Sequence, residues 1–409
     1  SDMPLFVGID VSSKNLEACL MDDAGETLAT RTVTNNLPGA TELKAVILQH
    51  VKKDDSIQIA MEATSVYSWH PAMFFHEDPE LKQRQTKVFT LNPKLVKNFK
   101  RAYAEMDKTD PKDAWVIADR LRFGRLPKSV IQSEQYLALQ RLTRMRYHLV
   151  HSLTREQQVF LNHLFFKFSA FNLEVDTSAF GHAITELLLE AYSLDEIAQM
   201  PLEDLAKYLQ TKGRGRFSDP EDVASSIQKA ARDSYRLSKC VEDSIDLILG
   251  SSIEIIRHLK RQIKDLDKAI ARVLDGLPNT LETIPGLGPV SCAGILAEIG
   301  DIERFENQAA IAKFAGLFWP RHQSGDYEAD DKMLARTGNR YLRYYLVEAA
   351  NLVRRHEPEY RAFYQKKYRE VQKHSHKRAL VLTARKLVRL IDALLRNDQI
   401  YAPKKKVTR

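Results

Sequence analysis

The sequence predicts an α/β N-terminal domain followed by all-α structure, and three observations carry that prediction. Up to about Gly124 the apolar periodicity switches repeatedly between strand and helix spacing. Two long stretches, 126–168 and 239–273, hold a helical period throughout, and a glycine-containing turn near residue 286 separates two further helical patterns. A chain of 409 residues exceeds one ordinary core. The expected divisions are 4–124, 125–278 with a helical insert at about 169–237, 279–400, and a basic tail at 401–409.

Taken in order, FVGIDV, LEACLMD and TLATRTVTN read as three short strands, with Asp23, Gly25 and Asn35 as turn residues. A helix follows over ATELKAVILQHV, then a strand SIQIAME, a helix from near Ser65, and a strand KVFTLN stopped by Pro93. Three strands, a helix, a strand, a helix and a strand is the order of a ribonuclease-H-like core. Ser1 and Asp2, ahead of Met3, are expected to stand outside that fold as a cloning remnant.

Asp10 ends the first apolar run and Glu62 ends the run SIQIAMEA. An ionised carboxylate at such a strand end needs a cation or a donor. A ribonuclease-H-like sheet sets these two strands side by side. Asp110 and Asp113, in KTDPKDA, are spaced one helical turn apart, which places them on one helix face. Asp110 before Pro111 also has the pattern of a helix N-cap, with Asp113 as an acid in the first turn. Four carboxylates together suit an oxygen-ligated divalent ion and phosphate chemistry.

In the long helix at 126–168, Arg141, Arg144, Arg146 and Arg155 interleave with Tyr136, Tyr147, His148 and His151. That face suits a nucleic-acid backbone, and equally a solvated charged surface. The insert carries capped helices at SLDEIAQM and PLEDLAKYL and a basic turn at TKGRGRF. In the second long helix, Ile245, Leu249, Ile256, Leu259, Ile263, Leu266, Ile270 and Val273 follow near-heptad spacing, predicting an antiparallel coiled-coil arm for oligomerisation. IPGLGPVSCAGILAEIG has the arrangement of a helix-hairpin-helix, in which Gly286 and Gly288 let backbone N–H groups approach a phosphate.

GIDVSSK, AMEAT, LNP and KTDPKDA, followed by IPGLGPVSCAGILAEIG, FAGL, PRHQSG and TGNRYLRYYL, resemble the DEDD insertion-sequence transposases, a family that includes the Piv-like DNA invertases and the bridge-RNA-guided serine recombinases. The resemblance covers nearly the whole chain. It implies a RuvC-like N-terminal domain whose Asp10, Glu62, Asp110 and Asp113 hold Mg²⁺, with Mn²⁺ as the alternative. It also implies a C-terminal transposase domain with Ser324 as nucleophile. The partners it implies are donor and target DNA, a structured noncoding bridge RNA, and further copies of the chain in a dimer or tetramer. Arg321, Arg336, Arg340 and Arg343 are candidates for nucleic-acid phosphate contacts. Ala335 stands where many relatives carry a hydroxyl residue.

Composition agrees with this without specifying it. The net charge of +7 and 28% charged residues suit a polyanionic partner. Cys19, Cys240 and Cys292 form neither a zinc spacing nor a disulfide framework, which fits a reducing cytoplasm. No apolar run reaches the ~20 residues of a membrane span, and no signal peptide precedes the first strand. Two other readings stand beside the recombinase: a RuvC-like metal-dependent nuclease using water, with Ser324 incidental, and a nucleic-acid-binding scaffold with a decayed site.

Overall fold

A computed structural model describes residues 2–63, 66–106, 112–126, 133–318 and 337–403, without the side chains of 104–106 and 190–191. The chain divides into two compact units, Ser1–Tyr136 with Ile299–Ile311 and Leu395–Asn397, and Leu137–Glu298 with Ala312–Leu394 and Asp398–Arg409.

The first unit is built on a five-stranded sheet: β1 (Leu5–Val11), β2 (Asn15–Met21), β3 (Thr27–Thr34), β4 (Ile57–Glu62) and β5 (Lys87–Leu91), in the order β3-β2-β1-β4-β5. The first three strands are antiparallel, whereas β4 and β5 join parallel to β1. Parallel neighbours need crossovers. Helix α1 (Leu37–His50) supplies the first, and α2 (Trp69–Glu77) with α3 (Pro79–Gln83) the second. Helix α1 starts earlier than the apolar period indicates, because the Asn36 side chain accepts from Gly39 N–H at 2.8 Å and Pro38 sits in its first turn.

Alternation along the strands sends side chains to two cores. Val7 and Ile9 of β1, with Ile57, Ile59 and Met61 of β4, pack under Leu43, Ile47 and Phe75 of α1 and α2. On the opposite face Phe6, Cys19 and Ala60 pack under α4 (Pro93–Met106) and α5 (Asp113–Phe123). The mixed α/β reading therefore holds. Asp2 does not stand outside the fold: its carboxylate accepts from Ser56 N–H at 2.9 Å and Ser56 Oγ–H at 2.8 Å, tying the start of β1 to the start of β4.

The second unit is helical. Helices α6 (Glu134–Lys167) and α12 (Lys239–Asp275) are its longest elements; between them lie α7 (Phe171–Glu174), α8 (His182–Glu186), a π-helical turn (Leu187–Ala191), α9 (Leu194–Gln199), α10 (Leu202–Lys212) and α11 (Pro220–Asp233). Two ion pairs fix the direction of the long helices. Arg146 meets Asp267 at 2.5 Å and Lys167 meets Asp246 at 2.5 Å, so advancing along α6 means retreating along α12, as antiparallel helices require. Phe160 and Leu164 of α6 share a core with Leu249, Ile253 and Ile256 of α12 and with the insert's Leu205, Leu209 and Ile227. Further along α12, Leu259, Ile263 and Leu266 are only half-buried. Lys167, nearly buried, also donates to the carbonyl of Leu188 at 2.7 Å, which satisfies a backbone acceptor inside the π turn.

The chain continues through a 3₁₀ turn (Leu281–Thr283) into α13 (Pro289–Ile299), α14 (Gln308–Phe314), α15 (Arg340–His356), α16 (Pro358–Arg369) and α17 (Ser375–Arg396). The element before the Pro-Gly-Leu-Gly turn is thus one 3₁₀ turn where a helix was expected. Tyr345 of α15 is fully buried, its ring filling the space that Gly294 of α13 leaves open and its hydroxyl donating to the carbonyl of Thr143 on α6 at 2.5 Å. No helix among the described residues is long and apolar enough to cross a membrane.

Candidate active site

The carboxylates meet where the sheet and α5 come closest. β1 and β4 run parallel with Gly8 beside Ala60 and Ile9 beside Met61, so the next residues, Asp10 and Glu62, are neighbours. Both share strand parity with Gly8 and Ala60, which places them on the α4–α5 face. Helix α5 lies directly on β1 at Gly8, where a Cβ would sit 2.1 Å from the carbonyl oxygen of Ala114 and 2.4 Å from the nitrogen of Ala118. Only glycine permits that approach. It carries Asp113, the first residue of α5, over the strand end two residues beyond Gly8. Oxygens of Asp10, Glu62 and Asp113 all lie within 4.8 Å of one another, and each residue is half-buried.

Burial and neighbouring negative charge both disfavour the ionised form of a carboxyl. Burial pushes the Asp10 carboxyl above its ordinary value, and the charges of Asp113 and Glu17 add to this, Glu17 being its cross-strand partner on β2. Glu62 is raised by burial and by the charges of Asp10 and Asp113. Lys100 of α4 opposes both shifts. Its ammonium lies 2.9 Å from Asp113 Oδ1, an ion-pair distance without hydrogen-bond geometry, so this buried oxygen retains acceptor capacity. The cluster therefore fits a divalent cation by charge, ligand type and spacing.

Asp110 lies outside the described residues. The expectation that it caps the helix is corrected: α5 begins at Asp113 and Lys112 is its N-cap, without a side-chain cap bond. Asp113 is thus not one turn into a helix that starts at Asp110. Lys100 and Glu17 escaped the sequence reading. Lys100 left a signal, standing four residues after Val96 in the stripe Val96, Phe99 and Tyr103 that faces the core.

In the second unit, Ser324, Arg321, Ala335 and Arg336 also lie outside the described residues. The residues flanking 319–336 make close contacts with one another. Gly338, at φ +112°, lies so close to Gly316 that a Cβ would come 2.7 Å from its nitrogen, and Asn339 N–H donates to the carbonyl of Phe314 at 2.6 Å. The Asn339 side chain caps α15 by accepting from Tyr341 N–H and Leu342 N–H, while its amide donates to Glu298 at 2.9 Å. Glu298 is 3% exposed and takes a bidentate pair from Arg144, at 2.7 and 2.8 Å. The close approach of residues 316 and 338 thus stands beside hydrogen bonds that run from Asn339 to Phe314 and to the buried Glu298.

Two of the four α6 arginines are therefore not on a free face, because Arg144 is bound to Glu298 and Arg146 to Asp267, whereas Arg141 and Arg155 are exposed. Arg340 is exposed, its guanidinium over the Tyr341 ring and donating to its hydroxyl, whereas Arg343 is half-buried. Gly286, at φ +94°, has a packing reason: a Cβ there would lie 2.8 Å from the Leu352 carbonyl and 2.9 Å from His356 Nδ1. Gly288 has open space around it, and its carbonyl accepts from Cys292 N–H in the first turn of α13.

Comparison with known proteins adds to this geometry. A DEDD transposase model of the IS110 kind matches residues 7–168, and the model described as "Transposase IS116/IS110/IS902 family" matches residues 279–365. The chain is similar to the "Insertion element IS116 uncharacterized 44.8 kDa protein" of Streptomyces clavuligerus, with 25% identity over 99% of this chain and 98% of that protein. It is also similar to the "Pilin gene-inverting protein" of Moraxella bovis, 22% identical over 97% of each. The first model spans the carboxylate-bearing sheet, the second lies in the C-terminal part of the chain, and the relatives match over nearly its full length: the chain belongs to the IS116/IS110/IS902 family of transposases.

Proposed function

We propose that this protein is a site-specific DNA recombinase that cuts and rejoins DNA through a serine–phosphodiester intermediate at Ser324, with Asp10, Glu62 and Asp113 holding Mg²⁺ or Mn²⁺ and Asp110 completing the acidic set. The convergence of three carboxylates from β1, β4 and α5 is the observation that carries this reading. A divalent ion supplies positive charge to the phosphate oxygens as charge develops on them. Asp10 and Glu62 provide its ligands from rigid strand ends, Gly8 sets the distance to Asp113, and Lys100 balances the excess negative charge.

In the chemical step the Ser324 hydroxyl gives up its proton and its oxygen bonds to phosphorus. The bond from phosphorus to one sugar oxygen breaks, and that oxygen gains a proton. Reversal on a second DNA end reseals the backbone, because the phosphodiester bond count is unchanged throughout. The paired network of Arg144, Glu298 and Asn339 supports a fixed geometry for the chain flanking the serine segment. The gene-inverting Moraxella relative supports rejoining over simple cutting.

A structured noncoding RNA selects donor and target in this proposal, and the protein acts as a dimer or tetramer through the α6–α12 arm. The half-buried seam of Leu259, Ile263 and Leu266 supports a coiled-coil contact there. The Pro-Gly-Leu-Gly turn acts as a backbone-binding hairpin, with Gly288, Arg321, Arg336, Arg340 and Arg343 contacting phosphates. The nuclease using water is the second reading, because the carboxylate cluster alone suffices for it.

Trapping under denaturing conditions separates the two. Protein, its RNA and labelled DNA with Mg²⁺ should give a DNA-linked protein band that disappears in both Ser324→Ala and Asp10→Ala. Free cleaved DNA without an adduct, retained in Ser324→Ala and lost in Asp10→Ala, would establish the nuclease instead.

A further inference from the structure

The turn between α16 and α17 lies beyond residue 365, where the family match ends, and it is strongly basic. Residues 366–378, KKYREVQKHSHKR, hold six lysines and arginines against one acid, Glu370. Glu370 is fully used: it takes Lys367 at 3.0 Å and Arg378 at 3.1 Å. Arg378 also donates to the Lys367 carbonyl at 3.1 Å, so this acid and these two cations close the turn internally. The other four, Lys366, Arg369, Lys373 and Lys377, are exposed, and no ion pair neutralises them among the described residues.

Such a cluster costs stability. Like charges repel across one turn, and Lys377 and Arg378 sit in the first turn of α17, which has no acidic residue. A helix N-terminus carries partial positive charge and favours acids, so cations there are the unfavourable choice. The arrangement becomes favourable when a polyanion lies against it, because the four cations and the helix terminus then act with the same sign.

We infer that the α16–α17 turn is a docking surface for the phosphate backbone of double-stranded DNA. Three of the four free cations are lysines, point charges on flexible stems that suit phosphates more than base edges. A single strand calls for large aromatic rings interleaved with the charge, and the only exposed Phe, Tyr or Trp in this segment is Tyr368, beside the smaller imidazoles of His374 and His376. DNA is the duplex that a transposase handles. The inference rests on that reading and is independent of the serine step.

Full-length protein and a variant carrying Lys366→Gln, Arg369→Gln, Lys373→Gln and Lys377→Gln are titrated with a short DNA duplex of arbitrary sequence at several salt concentrations. Each lost phosphate contact lowers the slope of log K against log salt by about 0.9. The expected decrease is about 2 to 3.6, equal for unrelated duplex sequences and unaccompanied by a lower melting temperature. A control variant with Lys52, Lys53, Lys207 and Lys239 changed to Gln keeps the parent slope. An unchanged slope in the first variant, or an equal decrease in both, overturns the assignment. A decrease seen only with a structured RNA hairpin overturns the choice of DNA. Failure of the unaltered protein to bind any duplex defeats the underlying reading, which is a distinguishable result.

Discussion

Replacing Asp10 by Asn should make the metal-free protein more stable while removing its response to metal. Carboxylate oxygens no more than 4.8 Å apart repel, by Coulomb's law, with roughly 1.7–3.5 kcal/mol per fully ionised pair at an effective dielectric of about 40 to 20. Asp10→Asn deletes two of the three pairs. Loss of the attraction to Lys100 and partial solvation leave a net gain of about 1–2 kcal/mol, a rise in melting temperature of about 2–8 °C. The pH dependence has a definite sign. Asp10 and Glu62 are raised in the folded protein, so the fold binds those protons more tightly than the unfolded chain. Stability of the metal-free parent therefore falls as pH rises from the ordinary carboxylate value through the raised values, and falls less in Asp10→Asn. Metal competes with the same protons, so metal-induced stabilisation of the parent grows across that window, reaching about 2.7 kcal/mol when the ion is at a hundred times its Kd. Thermal melts with Mg²⁺, Mn²⁺ or chelator at several pH values measure all of this. A metal-free Asp10→Asn protein that melts lower than the parent, together with a parent insensitive to metal, would refute the argument.

Three further outcomes are expected. Gly8→Ala should cost about 1–3 kcal/mol by overpacking and weaken the metal-induced shift, since a Cβ 2.1 Å from the Ala114 carbonyl forces α5 and Asp113 outward; parallel melts with and without Mn²⁺ separate the two effects. Glu298→Ala should destabilise by about 3–5 kcal/mol in a denaturant titration, because it leaves the half-buried Arg144 guanidinium and the Asn339 amide without their acceptor. Of the three thiols, only Cys240 should react promptly with a disulfide reagent in the native protein: it is exposed, whereas Cys19 and Cys292 are buried and burial pushes the Cys292 thiol up to about 12. All three should react in denaturant.

The sheet was legible because its information is local. Strand runs ending in Asp10 and Glu62, punctuated by Asp23, Gly25 and Pro93, give both the elements and their order, and the order alone makes the two acids neighbours. The start of α5 was less legible, since Asp110-Pro111 has a strong capping pattern but helical geometry begins at Asp113. Lys100 reads as one more basic residue on a surface helix until α4 packs on the sheet. Arg144 and Arg146 of α6 were illegible for the same reason: their partners, Glu298 and Asp267, lie far along the chain, and a charged stripe looks the same whether it faces water or an acid of another helix. Gly286 shows the converse, where a residue type suited to phosphate approach is required by the backbone of α15.

These contrasts bear on how the protein divides its charge. Arg144 and Arg146 are held by internal acids and carry the geometry of the helical unit, while Lys366, Arg369, Lys373 and Lys377 are left without such acids. A buried ion pair is seldom the most stabilising solution, because its desolvation cost rivals its Coulomb gain, but it tolerates few alternative geometries. Glu298 illustrates this: both its oxygens take the Arg144 guanidinium on α6, and one of them also takes the amide of Asn339, whose own oxygen caps α15, so a single carboxylate ties the two helices together. The basic residues that fix structure and those free to meet a polyanion are therefore separate sets. Net charge alone, at +7, could not distinguish them; the position of each acid does.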